Sequence, residues 1–587
     1  MEPTKRWKVA ELSPQAVDLA QRLRTSPLLA QMLINRGVSD PDQCRAFLSP
    51  SLSDLHEPEM LANLPRAAQR IAQAIRDGRR IVIYGDYDVD GITATAILWH
   101  TIRLLGGQVQ YYIPHRLEEG YGLNAEALRQ ICQDGAELVV TVDCGITAIE
   151  EARIAADAGV DLILTDHHEW RHAPQDPQSP MLPRCHTIVH PRLPAEGRAA
   201  YPNPHLCGAG VAFKLAWGIG KAAAGGGRVG EPIRRFLVEA TALAALGTIA
   251  DVVPLLGENR ILAHFGLSGL AHSSLTGIRA LIASANLSGE KLNSYHVGFL
   301  LAPRLNAAGR MGHARLAVEM LTDADATKAS QIAQYLETQN RLRQTTERKI
   351  LQEAIDQCLA LGFDRDDRKA IVLGAQGWHA GVIGIVASRI VSRFNRPTIM
   401  VALEAGHGQG SGRSIRGFHL ARALDACRQH LQTCGGHEMA AGLSLDAARF
   451  EAFREAFCAY AAREIDAEML RPEIRMDAEA CLAEITEALV RDLNRLGPFG
   501  TANPRPLLCC RGLELVGTPR RVGSGGEHLQ LTVRQGDSTM RCIAFNQAAL
   551  ADRLSAGARI DLAAEPGINQ YNGYRSVQLE VKDVRFA

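Results

Sequence analysis

Three apolar, β-rich runs, each ending at an aspartate, constrain this chain more than any other feature. Ile81-Val82-Ile83-Tyr84 leads to Asp86, Leu138-Val139-Val140-Thr141-Val142 to Asp143, and Leu162-Ile163-Leu164-Thr165 to Asp166. No charge interrupts them, as expected of strands covered on both faces, and helical segments lie between. This alternation predicts a parallel sheet in an α/β domain. Ligands of open parallel sheets bind beyond the carboxyl ends of the strands, so the three acids are expected to converge there.

The first of these ends continues as Asp86-Tyr87-Asp88-Val89-Asp90-Gly91 and runs into the helical Ile92-Thr93-Ala94-Thr95-Ala96. Alternate carboxylates in an extended turn can face one side, and Gly91 permits a tight entry into the helix. Acids this dense repel one another unless a cation sits between them; the alternative is a solvated acidic turn that caps the helix. His167-His168 follow Asp166, and Asp251 follows the apolar run Leu246-Gly247-Thr248-Ile249-Ala250. Carboxylates with an imidazole suit Mn²⁺ or Mg²⁺ better than a thiolate-rich zinc site. Cys144 could ligate in principle, but a buried packing role suits it better.

No Gly or Pro occurs from Leu321 through Leu361. One long helix, or two joined ones, could reach roughly 60 Å there. A second α/β region starts with Ala370-Ile371-Val372-Leu373-Gly374 and runs to about Glu464. Beyond Arg471, short alternating runs such as Leu529–Val533 and Val577–Val581, with turns such as Asn572-Gly573, predict a small β-barrel of OB type. The first sixty or so residues read as short helices. The expected division is therefore a helical segment at 1–60, a catalytic α/β domain at 61–320, a connecting helix at 321–362, a second α/β domain at 363–470 and an OB-like barrel at 471–587.

Lys+Arg and Asp+Glu both number 64, so no global positive charge advertises nucleic acid. A binder with this balance must separate acidic sites from basic tracks. Hydrophobic content of 46% and charged content of 22% are ordinary for a globular protein. No secretory signal is visible, and Glu239 and Asp251 interrupt the apolar stretch Leu237–Leu256, which argues against a membrane span. The 13 cysteines form no C-x-x-C pair, so reduced thiols and a cytoplasmic setting are expected.

The acidic turn, Val142-Asp143-Cys144-Gly145, Asp166-His167-His168 and Gly247-Thr248-Ile249-Ala250-Asp251 together resemble the four motifs of the DHH phosphoesterases. Along nearly its whole length the chain resembles the branch of that family that degrades single-stranded DNA. The resemblance implies two divalent ions, Mn²⁺ or Mg²⁺, held by Asp86, Asp88, Asp90, Asp143, His167 and Asp251. It implies a catalytic set of Asp143, His167, His168 and Asp251, with His168 steadying the scissile phosphate. Asp86 and Asp166 could instead orient the ligands.

Pro303-Arg304-Leu305-Asn306-Ala307-Ala308-Gly309-Arg310-Met311-Gly312 sets two arginines and an amide among small residues, and Arg forks suit phosphate. The resemblance places Arg304, Asn306 and Arg310 on the substrate backbone. Gly408-Gln409-Gly410-Ser411-Gly412-Arg413-Ser414-Ile415-Arg416-Gly417 could form an anion-binding nest; the bland alternative is a surface loop. It is not a Walker A loop, so ATP use is not indicated. Together with Trp378-His379-Ala380-Gly381-Val382-Ile383-Gly384 and Gly435-Gly436-His437 it resembles the DHH-associated domain. His379, Ser411, Arg413 and His437 are candidates for phosphate or terminal-nucleotide contacts, and Arg116 for an end phosphate. In the barrel, Arg520, Arg521, Arg534 and Arg541 with Phe545, Tyr571 and Tyr574 could form a charge track with stacking rings.

The resulting expectation is a single-stranded-DNA-specific 5′→3′ exonuclease in repair and recombination, with the direction resting on resemblance alone. The rivals are a phosphodiesterase for short oligoribonucleotides and a non-catalytic DNA-binding scaffold. Expected partners are single-stranded DNA, a single-stranded DNA-binding protein and a RecQ-like helicase, for a monomer with no membrane association.

Overall fold

A computed structural model describes residues 5–116, 118–173, 176–194, 200–310, 313–571 and 574–586. Met311, Gly312, Asn572 and Gly573 of the motifs above lie outside the described residues, as does the side chain of Tyr571. The chain forms two compact units. The larger comprises 8–306, 314–333 and 475–587; the smaller centres on 334–474, with short stretches at 5–7 and 307–310.

In the larger unit, five strands form a parallel sheet in the order Gln108–Tyr112, Arg80–Gly85, Leu138–Val142, Asp161–Thr165, Thr187–Val189. Leu138–Val142 is buried at every position, which is why that run carries no polar alternation. Helices Gly208–Ala223 and Glu231–Ala250 bring further buried faces against the helix Val89–Leu104.

The same unit contains the C-terminal barrel. Leu508–Leu515, Arg559–Tyr571, Tyr574–Phe586, Ser538–Ala544 and His528–Gln535 pair in that order, and the last returns to the first through Glu514 opposite Arg534. Five strands closed in this way make an OB-type barrel. Its core is continuous with the N-terminal helices: Leu29, Met32 and Leu33 share one apolar cluster with Leu508, Leu531 and Leu562. The helices of the first sixty residues thus cover a barrel wall. Buried Arg260 fastens the barrel's leading loop to the parallel-sheet domain by donating to the carbonyls of Arg495 (2.9 Å) and Gly497 (2.6 Å).

The helix Ala326–Ala360 spans 35 residues, about 50 Å at 1.5 Å per residue. The smaller unit holds a mixed sheet in the order Thr433–Gly436, Ala440–Asp446, His407–Arg413, Thr398–Glu404, Ile371–Gln376; only the last pair is parallel. The glycine tract is a strand as far as Arg413, neither nest nor loop, and turns only from Ser414 to Gly417. His407–Arg413 is an interior strand whose backbone is paired on both sides, so its amides are committed to the ladder. Its glycines alternate for a packing reason: a Cβ would lie 2.7 Å from Leu445 at Gly408, 2.7 Å from Leu443 at Gly410 and 2.5 Å from Ile399 at Gly412. Large neighbours fill the face that the glycines leave open.

All thirteen cysteines are free thiols. Among the described residues no helix is long and apolar enough to cross a membrane.

Candidate metal centre and active site

The acidic turn leaves the strand Arg80–Gly85 and becomes the start of the helix Val89–Leu104. Asp88 is the N-cap, one oxygen accepting the N–H groups of Asp90 (2.8 Å) and Gly91 (3.2 Å). The two oxygens of Asp90 accept the N–H groups of Gly208 (2.6 Å) and Ala209 (2.8 Å), the first of the helix Gly208–Ala223. Two glycines allow this approach. A Cβ at Gly208 would lie 2.6 Å from Asp143 Cβ, and one at Gly247 would lie 2.5 Å from Asp90 Oδ1.

Asp143 follows its strand with φ near +63°, and only 1% of it is exposed. Its Oδ1 is 3.1 Å from His167 Nε2. The same nitrogen lies 3.7 Å from Asp90 Oδ2 and 3.7 Å from Asp251 Oδ2. Asp251 is the C-cap of the helix Glu231–Ala250 and arrives from beside the sheet rather than from a strand. Three groups of potential ligand atoms each fit within 4.8 Å: Asp86–Asp88–Asp143, Asp90–His167–Asp251 and Asp143–His167–His168. The first two share no residue, so the donor set has room for two ions.

The site also has the electrostatics of a cation cradle. Asp86 Oδ1, Asp143 Oδ1 and His167 Nε2 are buried and without a hydrogen-bond partner, a costly arrangement unless another group uses those lone pairs. Burial and mutual repulsion lift the Asp86 and Asp143 carboxyls well above the usual range, and burial with Asp90 and Asp88 pushes Asp251 up to about 9. Burial and the charge on His168 lower His167 to about 4, leaving a neutral imidazole with a lone pair to give. The residues present therefore fit divalent ions bound mainly through oxygen. Cys144 contributes no thiolate: burial raises its thiol well above the ordinary value.

Asp166 does different work. Its oxygens accept the backbone N–H groups of Ile146 (2.9 Å), His167 (2.7 Å) and His168 (3.1 Å), and the His168 Nδ1–H (2.8 Å). Burial would raise its carboxyl, but the hydrogen bond and charge of His168 outweigh that and lower it. In return, burial would lower His168, yet Asp166 holds it up to about 9. His168 is thus a cation at neutral pH, with its ring partly open to solvent.

Three further residues brace this pair. His190 Nε2 donates to the His168 carbonyl (2.8 Å), and Arg192 Nη2 donates to the His167 carbonyl (2.8 Å). The Tyr121 hydroxyl lies 2.9 Å from His168 Nδ1. Sequence reasoning passed over all three. His190 had a usable signal, since it follows the strand Thr187–Val189 as the aspartates follow theirs; Tyr121 sits in a loop with none.

The candidate phosphate contacts divide between the units. In the larger one the Arg116 guanidinium lies 4.9 Å over the Tyr87 ring. Arg304 donates to the Leu300 carbonyl (2.5 Å), and Asn306 Oδ1 accepts the N–H of Val89 (3.2 Å), so Asn306 steadies the acidic turn. In the smaller unit Arg310 Nη1 donates to the Gly381 carbonyl (2.7 Å), and His379 is the N-cap of Ala380–Phe394, Nδ1 accepting the Gly381 N–H (3.1 Å). A Cβ on Gly384 would lie 2.8 Å from Ser411 Oγ and 3.2 Å from Arg413 Nη2. Arg310, His379, Ser411 and Arg413 therefore gather around the first turns of one helix, where the free N–H groups favour an anion. His437 is exposed, opposite Ala440, itself opposite Arg413; two strand spacings put it roughly 10 Å from that arginine's backbone.

In the barrel, Arg521 pairs with Asp552 (2.9 Å) and Arg534 with Glu514 (2.9 Å), while Arg520 and Arg541 are exposed. Tyr574 is 82% and Phe545 47% exposed.

Comparison with known proteins places these features in one lineage. Residues 80–248 match the DHH family, N-terminal domain, 367–463 the DHHA1 domain and 476–583 the RecJ OB domain. The single-stranded-DNA-specific exonuclease RecJ of Bacillus subtilis is 38% identical over 98% of this chain and 70% of its own length. That of Dickeya dadantii is 38% identical over 94% of this chain and 95% of its own. The crystal structure of RecJ in complex with Mn²⁺ from Thermus thermophilus is 33% identical, with a TM-score of 0.82 over 99% of this chain and 80% of that one. A Mg²⁺ complex from the same organism gives a TM-score of 0.77 at 32% identity, over 99% of this chain and 78% of that one. The chain belongs to the RecJ family of single-stranded-DNA-specific exonucleases.

Proposed function

We propose that this protein removes nucleotides from single-stranded DNA by metal-dependent phosphodiester hydrolysis, working 5′→3′ in the cytoplasm during repair and recombination. The observation that carries the reading is the convergence of two ligand groups, Asp86–Asp88–Asp143 and Asp90–His167–Asp251, in which Asp86 Oδ1, Asp143 Oδ1 and His167 Nε2 are buried with no hydrogen-bond partner. Mn²⁺ or Mg²⁺, when bound, supplies Lewis acidity at the phosphoryl group and a water activated for in-line attack. The chain's own residues do the rest. His167 and the acids hold the ions, with Asp88 and Asp90 pre-aimed by helix N–H groups. His168, kept protonated by Asp166, offers a positive donor to the scissile phosphate. Asn306 fixes the turn that carries Asp86 and Asp88. Arg116 and Arg304 in the larger unit, and Arg310, His379, Ser411, Arg413 and His437 in the smaller, are proposed substrate contacts.

The reading extends to a monomer recruited by a single-stranded DNA-binding protein and a RecQ-like helicase. Single-stranded DNA labelled at either end, beside matched RNA and duplex, tests the central claim with and without Mn²⁺. Release of mononucleotides from the 5′ end, lost with chelator and in Asp143→Ala, is the expected result. Cleavage restricted to RNA or to very short oligomers would replace this function with the oligoribonucleotide one.

A further inference from the structure

The helix that carries Arg304 and Asn306 does not begin as an α-helix. Residues His296–Leu301 form a wider π-helical turn before Ala302–Arg310, and such turns recur at functional sites. Val297 and Leu301 are fully buried, so this turn already has its core face. On the other side stand Tyr295, 56% exposed, and Phe299, 67% exposed. Their rings stack at 4.9 Å with an interplanar angle of 25°. The wide turn brings residues four apart nearly into line, which allows the rings to lie parallel. Phe299 has no polar atom to draw it outward, and a parallel pair leaves an outer π face open for a third ring.

The location is specific. A Cβ on Gly298 would meet Ile249 Cγ2 at 4.0 Å, two residues before the ligand Asp251. Further along the same helical run, Asn306 is bonded to the acidic turn. The helical run that carries the two rings is therefore tied at one end to the segment ending in Asp251 and at the other to Val89. The rings themselves carry no charge while the Arg304 guanidinium is bonded to the neighbouring Leu300 carbonyl, so a planar base suits the ring face and a phosphate suits the arginine beside it.

We infer that Tyr295 and Phe299 form a stacking platform for a base of the single strand held at the metal centre. Stacking on a ring is tolerant of base identity because every base has a π face. The platform would hold the strand by a base while phosphate contacts position its backbone. This rests on the single-stranded-DNA reading above.

The test is equilibrium binding without turnover. An oligodeoxynucleotide carrying 2-aminopurine is titrated with full-length protein in excess chelator, and its fluorescence reports both affinity and stacking. Phe299→Leu keeps apolar volume without a π face, Phe299→Trp keeps the face, and Tyr295→Leu removes the second ring; melting curves confirm that each folds. The expected result is a dissociation constant raised roughly tenfold in Phe299→Leu, with the fluorescence response lost at one probe position. Phe299→Trp should bind like wild type. An abasic residue at that position should weaken wild type by a similar factor and Phe299→Leu no further. Equal affinity of wild type and both leucine variants, or additive losses from the variant and the abasic residue, would overturn the platform. If wild type binds the probe this way but hydrolyses no DNA, the exonuclease reading fails and the platform stands.

Discussion

Replacing Asp251 with asparagine should stabilise the metal-free protein and weaken the Mn²⁺-treated one. The carboxyl ordinarily titrates at 3.8 and is pushed up to about 9 in the fold, chiefly by burial and then by Asp90 and Asp88. Stability linked to this group is complete below pH 3.8 and is lost as pH rises through about 9, at ~1.4 kcal/mol per pH unit. By pH 7 the loss is about 4 kcal/mol as an upper bound; water entering the metal-free site offsets part of it, leaving roughly 1–3 kcal/mol. Asparagine has nearly the same shape and does not titrate. In chelator, urea unfolding should therefore favour the variant by that amount, with the gap widening from pH 5 to pH 8. Saturating Mn²⁺ reverses the order, because binding at a hundredfold excess over its dissociation constant stabilises wild type by ~2.7 kcal/mol per ion, and the variant lacks one anionic ligand of the Asp90–His167–Asp251 group. A metal-free variant no more stable than wild type, or a gap that ignores pH, would refute the picture of a buried, mutually repelling carboxylate cluster.

Asp166→Asn should remove the main partner that holds His168 near pKa 9, so burial pulls that histidine down from there; the pH–rate profile should lose activity first on its alkaline side, and histidine NMR titration checks the shift directly. Gly208→Ala places a methyl group within 2.6 Å of Asp143 Cβ and should weaken Mn²⁺ binding, read by calorimetry. Gly410→Val drives side-chain atoms into Leu443 and should cost the smaller unit roughly 1–3 kcal/mol in urea unfolding. Glu347→Gln leaves Arg343, a buried cation on the long helix, without its anion (2.8 Å); a loss of about 3 kcal/mol is expected in the same assay.

Much of the catalytic unit is legible before any folding because its determinants are local. A strand buried on both faces must be an unbroken β-rich run, and the residue at its carboxyl end must lie at the sheet's edge. Asp86, Asp143 and Asp166 could therefore be assigned to one rim from periodicity alone. The glycine tract shows the limit of the same logic. Its alternation is a strand signal, yet its composition reads as a loop, and only the leucines and isoleucine packed against Gly408, Gly410 and Gly412 reveal why side chains are excluded there.

Taken by itself, the sequence determined the strands, their terminal acids, the long helix and the presence of a C-terminal barrel, since each follows from propensity and pattern within a short window. Tertiary structure alone decided which acids come together. Asp251 joins His167 because one helix packs beside another, and Asp90 is aimed by the N-terminus of Gly208–Ala223. It also decided that Asp166 orients His168 while Asp86 keeps an unpaired oxygen, that His190 and Arg192 brace the histidines, and that the N-terminal helices share the barrel's core. The division is physical. Backbone conformation is set by neighbours a few residues away, whereas burial, charge coupling and ligand geometry depend on groups that meet only when distant segments close-pack.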